Sequence, residues 1–495
     1  MPIWKQPTIY ILCLFLCVGA FLRFDRISKP SLWVDEYWAL YLATGRGNLI
    51  FDLPLNTLIR SPPSSNFTDA PHWWHIWTGL ATTPHPPLYH LMLRAWVDIF
   101  GDSDLATRAM SAVFGLAGIL LAFDLARTLH GKFAGIITAG IFTFAPVQID
   151  FSQQTRPYAL LAFIALVVWR LLILIEQKGL SRIRLLALAL AVAGLELTHY
   201  FSLGVIAAAA IYAGIRFRGG KRKSVLLAIV ASLLFVAAIW APFAWMTRHQ
   251  YIVGPGFGNM GVSLAAATID APRKLVFDQF SDPAGKVLAA SALAFLVYFS
   301  PIFRIRSDPR LLPAWLWTIG GISFILLVDI AGHTQFVDLP RYIFLASPAV
   351  YLILAAPWGQ SAGKLLPPTM LIATMLFGFD RWQAGSPLSE STSAFAPLIQ
   401  KVGNNDAVIL FGDYPSQAAF RYIIVSHYAG DWRHPIMLLT QPPDKPTEQK
   451  LAAFHRIWVI GRDAGEMDRF LPGYRIIEYQ GVSPGFCFWA IQRVK

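Results

Sequence analysis

Charge is scarce in this sequence. Asp, Glu, Lys and Arg make up 14% of its 495 residues, where a soluble globular chain carries about a quarter. That scarcity excludes a soluble fold for most of the chain. Cysteine is rarer still, with three residues in all. Cys13 and Cys17 fall inside the first apolar run and Cys487 stands near the end. Neither a disulfide framework nor a thiolate zinc site is indicated. No internal repeat, low-complexity segment or dense metal-ligand motif is evident. The net charge of +12 does not point to nucleic acid. The Lys and Arg residues gather in short loops between apolar runs, the pattern of cytoplasmic loops in a membrane protein.

What the chain has in plenty is hydrophobic residues, at 55%. Apolar runs of roughly 17–25 residues are long enough to cross a bilayer as helix. They recur near 8–22, 104–126, 133–150, 159–175, 184–198, 201–215, 225–246, 287–303, 311–331, 342–358 and 365–380. The first run follows Lys5 and reads as an uncleaved helix rather than a signal peptide, because no small-residue cleavage pattern leads into a polar sequence. "HPPLYHLMLRAW" (85–96) carries His90 and Arg94, with Asp98 just beyond. It reads as an amphipathic helix lying at the interface.

With that choice, every second loop is basic. The loops hold Arg127, His130 and Lys132; Lys178, Arg182 and Arg184; Arg216, Arg218, Lys221, Arg222 and Lys223; Arg304, Arg306 and Arg310; and Lys364. The positive-inside rule then puts the N-terminus in the cytoplasm and the C-terminus outside. The expected fold is an α-helical polytopic membrane protein with about eleven transmembrane helices over residues 1–384, including a large extracytoplasmic loop at 25–103. Residues 385–495 change character. There "DAVILFGD" and "RIWVIGRD" read as buried strands, and "SQAAFRYIIVSHYA" and "TEQKLAAF" as helices. They predict a small extracytoplasmic α/β domain.

This topology collects unusual polar residues on the outer face. Asp35 and Glu36 of "SLWVDEYWAL" lie in the first outer loop, as does His85 of "TPHPPLY". Arg156 and Tyr158 of "SQQTRPYALL", His199 of "LELTHYFSL", and His333, Arg341 and Tyr342 of "GHTQFVDLPRYIFL" sit at later outer turns. Ionisable groups at a membrane boundary need a partner or a task. Each has a plainer reading. The arginines can anchor helix ends by snorkelling, the His85-Pro86-Pro87 run can be a rigid turn, and Trp33, Trp38, Trp73, Trp74 and Trp77 suit an interfacial aromatic belt. Asp35 and Glu36 are hardest to explain that way, since carboxylates pay desolvation among apolar neighbours.

A carboxylate can take a proton from a hydroxyl, and arginines can bind a phosphate leaving group. The set therefore suits transfer of a group from a lipid phosphate to an acceptor hydroxyl. A divalent metal could bridge phosphate and carboxylate, but no motif requires one, so no cofactor is assigned. The competing class is a lipid or glycolipid transporter or flippase. Such proteins place ionisable residues near the midplane, often in paired repeats, and neither feature is seen here.

The order of motifs resembles the membrane glycosyltransferases of the C superfamily (GT-C), in the bacterial branch related to protein O-mannosyltransferases and lipid A aminoarabinose transferases. The matching pieces are "WVDEYWA", "HPPLYHLMLRAW", "RAMSAVFGLAGILLAFDLARTLHGKFAGIITAGIFTFAP", "SQQTRPYALL", "THYFSL" and "LPRYIFLASPAVYLILA", within residues 1 to about 360. The resemblance implies a multi-pass protein of a bacterial inner membrane with its site on the periplasmic side. It implies a polyprenyl-phosphate-linked sugar as donor, a lipid, glycan or protein hydroxyl as acceptor, and inversion at the sugar. It makes Asp35 the candidate catalytic carboxylate with Glu36 in support. Arg156 and Arg341 become candidate phosphate binders, and His85, Tyr158, His199 and Tyr342 further substrate contacts. No second Asp-x-Asp or Asp-x-Glu stands near residue 156, which leaves a metal requirement open.

Overall fold

The structure, a computed structural model, describes residues 7–47, 49–50, 52–80, 85–246, 257–259, 261–277, 308–356, 366–385, 399–403, 405–413, 415–429, 434–461, 471, 473–483 and 486–493. In chain order its first helices are α1 (Pro7–Phe24), α2 (Val34–Ala43), α3 (Trp74–Gly79), α4 (Leu88–Phe100), α5 (Asp104–His130), α6 (Lys132–Phe144), α7 (Pro146–Ser152), α8 (Tyr158–Lys178), α9 (Arg182–Glu196), α10 (Leu203–Arg216), α11 (Gly219–Met246) and α12 (Leu264–Phe277). Helices over Leu312–Gly332, Ser347–Ala355, Leu366–Ala384, Pro415–Ala429 and Lys445–Leu451 follow.

Two compact units do not follow chain order. The first comprises Met1–Ile27, Pro84–Tyr89 and Leu105–Pro387; the second comprises Ser28–Thr83, His90–Asp104 and Leu388–Lys495. Part of the loop at 25–103 thus lies with the C-terminal segment.

The first unit is helical. Among the described residues, five helices are long and apolar enough to cross a bilayer, or six if the bent α6–α7 pair is one span. About eleven were expected from the alternating loops. Of the other runs, several form shorter helices and one lies outside the described residues. The run at 184–198 becomes α9 with 15 residues, and the runs at 201–215 and 342–358 fall in the shorter apolar helices Tyr200–Arg216 and Pro340–Ala355, of 10–17 residues. At 1.5 Å per residue, α9 is about 22 Å long against a hydrocarbon core of about 30 Å. The Leu366–Ala384 helix has the length but carries Asp380 and Arg381 near its end. The run at 287–303 lies outside the described residues, as do Arg304, Arg306 and Lys364.

The interior of this unit is large and aromatic. Trp169 of α8 stacks on Trp317 with ring planes 10° apart, and both are fully buried. Close approach of α10 to the Leu312–Gly332 helix depends on Gly204 and Gly320, where a Cβ on either would run into the other's carbonyl. Small residues at such crossings let helix backbones meet.

One span is broken. Pro146 has no N–H to continue the helical ladder, and α6 and α7 meet at 58°. The carbonyls released by this break are taken up by Arg23, a fully buried residue of α1. Its Nη2 donates to Phe142 O (3.0 Å), its Nη1 to Thr143 O (3.2 Å) and Gly19 O (3.3 Å), and its Nε to Ser152 Oγ (3.2 Å). One guanidinium therefore ties α1, the end of α6 and the end of α7 together.

The second unit holds one six-stranded sheet of order β1-β3-β2-β4-β6-β5. Its strands are β1 (Leu58–Ile59), β2 (Asp406–Phe411), β3 (Ile436–Leu439), β4 (Arg456–Gly461), β5 (Tyr474–Ser483) and β6 (Phe486–Arg493). The central three are parallel, with Val408 opposite Ile436 and Trp458. Parallel neighbours need crossovers, which the Pro415–Ala429 and Lys445–Leu451 helices supply. β1 comes from the first loop and pairs antiparallel with β3. Asn56, at a φ of 53°, fixes this pairing by accepting from Thr440 N at 2.9 Å and donating its own N–H to Leu438 O at 2.7 Å. The sheet packs around Ile409, Phe411, Met437, Val459 and Ile491.

Replacing Arg23 by Met keeps the apolar stem and removes four hydrogen bonds. Hydrogen bonds to charged groups contribute about 1.5–3 kcal/mol each. Arg23→Met is therefore expected to lower the melting temperature of the detergent-purified protein far more than Ser152→Ala, which removes one of the four. Equal, small shifts for both would contradict the keystone role of Arg23.

Candidate functional site

The chain leaves α7 through Gln153, Gln154, Thr155 and Arg156. This turn is pinned along its length. Gln153 Nε2 donates to Leu22 O at 3.0 Å, Thr155 Oγ1 to Thr107 Oγ1 at 3.2 Å, and Ser111 Oγ to the carbonyl of Arg156 at 3.2 Å. Arg156 is 7% exposed. Its guanidinium lies 5.6 Å from the centre of the Tyr158 ring, an arrangement that favours a cation over an aromatic face.

The second arginine is set by a carboxylate. Asp329, buried near the end of the Leu312–Gly332 helix, accepts from Thr334 Oγ1 (2.7 Å), Phe336 N (2.7 Å) and Val337 N (2.9 Å). Lys274 of α12 then pairs with buried Asp338 and also donates to its carbonyl at 3.0 Å. These contacts hold the turn before Pro340, so that Arg341 follows at a helix start. Its guanidinium lies 5.0 Å from the centre of the Tyr342 ring. His333 takes a left-handed conformation, φ 51°, and ends the Leu312–Gly332 helix.

His199 sits in the short turn between α9 and α10. Its Nδ1 accepts from Phe201 N at 3.2 Å. In the neutral ring the proton then resides on Nε2. Burial, assisted by the positive charge of Arg156, pushes the imidazole down to about 4. At neutral pH it is an uncharged donor. The turn is tied back to α9 by Ser202 Oγ, which donates to Glu196 Oε2 at 3.0 Å.

Tyr158, His199, Arg341 and Tyr342 meet around one small pocket, walled by Leu161, Phe201, Ser202, Phe344 and Leu345. The rings of His199 and Tyr342 are 6.5 Å apart. Four residues singled out in the sequence thus share one space, with Arg156 beside Tyr158. The wall is aromatic and the polar groups are an arginine, a neutral imidazole donor and hydroxyls. Such a set favours an anion carried on an apolar group.

His85 is half-buried. Its segment is held near the His199 turn by Leu88 N, which donates to Leu197 O at 2.9 Å. Asp35 and Glu36 belong to the second unit and lie in the first turn of α2, where carboxylates suit the helix dipole. Asp35 is half-buried and Glu36 fully buried. Glu36 Oε2 accepts from Trp33 N at 3.2 Å, which closes the start of the helix. Glu36 is thus engaged with the backbone of its own turn.

Reading the sequence did not single out Arg23, Asp329, Lys274, Asp338 or Glu196. The signal was present for Arg23, Asp329 and Glu196: each is an ionisable residue in or at the end of an apolar run, which is expensive without a task. Among the described residues, no group of three or more His, Cys, Asp or Glu side chains could hold a metal ion.

The chain shares its fold with a class of solved proteins that it matches over nearly its whole length. Within that class the chain is similar over 98% of its length to 98% of ArnT from Cupriavidus metallidurans in the apo state, with TM-score 0.60 and 13% identity. The same protein bound to undecaprenyl phosphate matches with TM-score 0.57 and 12% identity, again over 98% of both chains. The Archaeoglobus fulgidus oligosaccharyltransferase tethered with an acceptor peptide matches with TM-score 0.51 and 13% identity, over 98% of this chain and 74% of that one. At such identities the likeness is one of fold. In sequence, residues 84–245 match the family profile of dolichyl-phosphate-mannose-protein mannosyltransferase. No curated protein matches the chain.

A depressed histidine makes a signed prediction. Between about pH 6.5 and 4 the unfolded chain binds a proton at His199 that the folded chain refuses. The contribution of His199 to stability is therefore complete above pH 6.5 and declines as pH falls toward 4. An NMR titration of labelled imidazoles should show a His199 midpoint near 4 that disappears in His199→Gln. A midpoint near 6.5 would contradict the desolvated, neutral ring.

Proposed function

We propose that this protein is a membrane glycosyltransferase that moves a sugar from a polyprenyl-phosphate donor to an acceptor hydroxyl. The carrying observation is the cavity in which Arg341 and the neutral His199 meet aromatic walls. A phosphate on a lipid chain satisfies both halves of that lining. The full-length likeness to an ArnT that binds undecaprenyl phosphate supports the same choice of donor.

In this reading Arg156 and Arg341 hold the phosphate and stabilise the charge that grows on it as the sugar leaves. His199 adds a hydrogen bond from Nε2 without adding charge. Tyr158 and Tyr342 back the guanidinium groups, and His85 contributes to the substrate region. Asp35 takes the proton of the acceptor hydroxyl. The acceptor oxygen forms its bond to the anomeric carbon while the bond from that carbon to the phosphate oxygen breaks. Polyprenyl phosphate departs with the electron pair, and displacement from the opposite side inverts the sugar. Glu36 is the helper that fixes the turn carrying Asp35. The alternating basic loops support a bacterial inner-membrane protein of about eleven spans with the site on the periplasmic side.

Two measurements test these roles. Arg156→Ala and Arg341→Ala should each weaken binding of undecaprenyl phosphate roughly tenfold to a hundredfold, the equivalent of one charge-assisted hydrogen bond. Lys at either position should restore binding only in part, because it lacks the planar fork. Normal binding by both Ala variants would remove the phosphate role. Separately, Asp35→Asn should lower single-turnover transfer by ~10²–10⁴-fold and leave donor binding intact, with Glu36→Gln milder. Near-normal transfer by Asp35→Asn would remove Asp35 as the base.

A further inference from the structure

Within the second unit, one helix of the C-terminal segment makes repeated contacts with the first loop. Along the Pro415–Ala429 helix, Tyr422 donates its hydroxyl to Pro63 O at 2.7 Å, and Ser426 meets Ser65. Phe420 stands edge-to-face to Trp38 at 5.6 Å. At the last turn, His427 Nε2 lies 3.0 Å from Asp104 Oδ1. The neighbouring Tyr428 hydroxyl is 2.8 Å from the hydroxyl of Tyr37.

Tyr37 is the residue after Glu36 and two after Asp35 in α2, and it is completely buried. The ring of His427 stands edge-on to it at 5.4 Å. A helix of ten residues can rotate about its axis or slide along it. Rotation swings a first-turn side chain through an arc about the helix radius plus its own length. Tyr37 is gripped at both levels, by its ring edge and by its hydroxyl. The grip is therefore one turn or less from Asp35, where small angular errors translate into displacement of a carboxylate.

We propose that the Pro415–Ala429 helix aims the carboxylate of Asp35, with Tyr428 and His427 as positioning residues that act through Tyr37. This rests on the reading of Asp35 as the base. It gives the C-terminal segment a task in catalysis that its sequence does not announce. Tyr428 touches no substrate in this scheme. A carboxylate displaced by a fraction of an ångström loses rate steeply in an oriented reaction, where misplacement by about 1 Å costs on the order of a hundredfold.

The test compares Tyr37→Phe, Tyr428→Phe, the double variant and Asp35→Asn as full-length purified proteins. Each is measured for single-turnover transfer, undecaprenyl-phosphate binding and melting temperature. The phenylalanines keep both rings and remove the shared hydrogen bond. Each single variant should lose roughly tenfold or more in turnover with donor binding unchanged. The double variant should be no worse than either single one, because all three lack the same bond. His427→Gln should lose turnover in the same direction. Normal turnover in Tyr37→Phe and Tyr428→Phe while Asp35→Asn is inactive would overturn the positioning role and leave the base assignment standing. Losses that follow the melting temperature, with donor binding falling in step, would reduce the contact to structural support and overturn it too. An active Asp35→Asn would remove the base assignment on which the proposal depends.

Discussion

The first unit depends on the buried guanidinium of Arg23. A proline inside a span releases backbone carbonyls where no water is present to take them, and each unsatisfied group is costly there. Arg23 offers its donors in a rigid fork to two of these carbonyls, to its own helix and to Ser152. The break is what allows the chain to turn at α7 and deliver Arg156 from a pinned loop rather than from mid-helix. The helical packing of Gly378 against the Phe144 carbonyl leaves no room for a side chain at the same junction.

Around the cavity, the carboxylates are paired with backbone and basic groups. Asp329 is spent on backbone N–H groups and Asp338 on Lys274, which fixes the turn before Arg341. Asp150 is spent on Arg381, at 2.8 and 3.0 Å. Carboxylates near the arginine-bearing loops are therefore engaged in building those loops. The imidazole of His199 stays neutral beside Arg156, because a second positive charge in a desolvated place is disfavoured. The result is a pocket that offers hydrogen bonding as well as positive charge.

Much of this was legible in the sequence, and the parts that were not have physical reasons. Short motifs such as "TRPY" and "PRY" place Arg156 and Arg341 beside a tyrosine each, and the cavity gathers Tyr158, His199, Arg341 and Tyr342. The lengths of individual helices were less legible, because hydropathy reports composition and cannot see a helix that stops early, as α9 does, or one that bends at Pro146. The strands "DAVILF" and "RIWVIG" stood out as apolar runs. The pairing of Leu58 with Met437 did not, since a two-residue strand has no periodicity to read. Ion pairs such as Lys274 with Asp338 join residues far apart in sequence, and nothing local marks them.

The edge strand β1 also bears on how the protein is made. Leu58 leaves the ribosome long before Met437, about 380 residues later, at which point the sheet can first include both. At roughly 5–20 residues per second, that interval is on the order of 20–80 s. Throughout it, the first loop has no β3 to pair with, and Asn56 has no Thr440 to receive. Closing so long a loop adds little free energy cost beyond a shorter one, but it delays the reward until synthesis is nearly complete. The second unit is therefore an obligately late structure: its first half must remain unaggregated in a crowded compartment until its second half arrives.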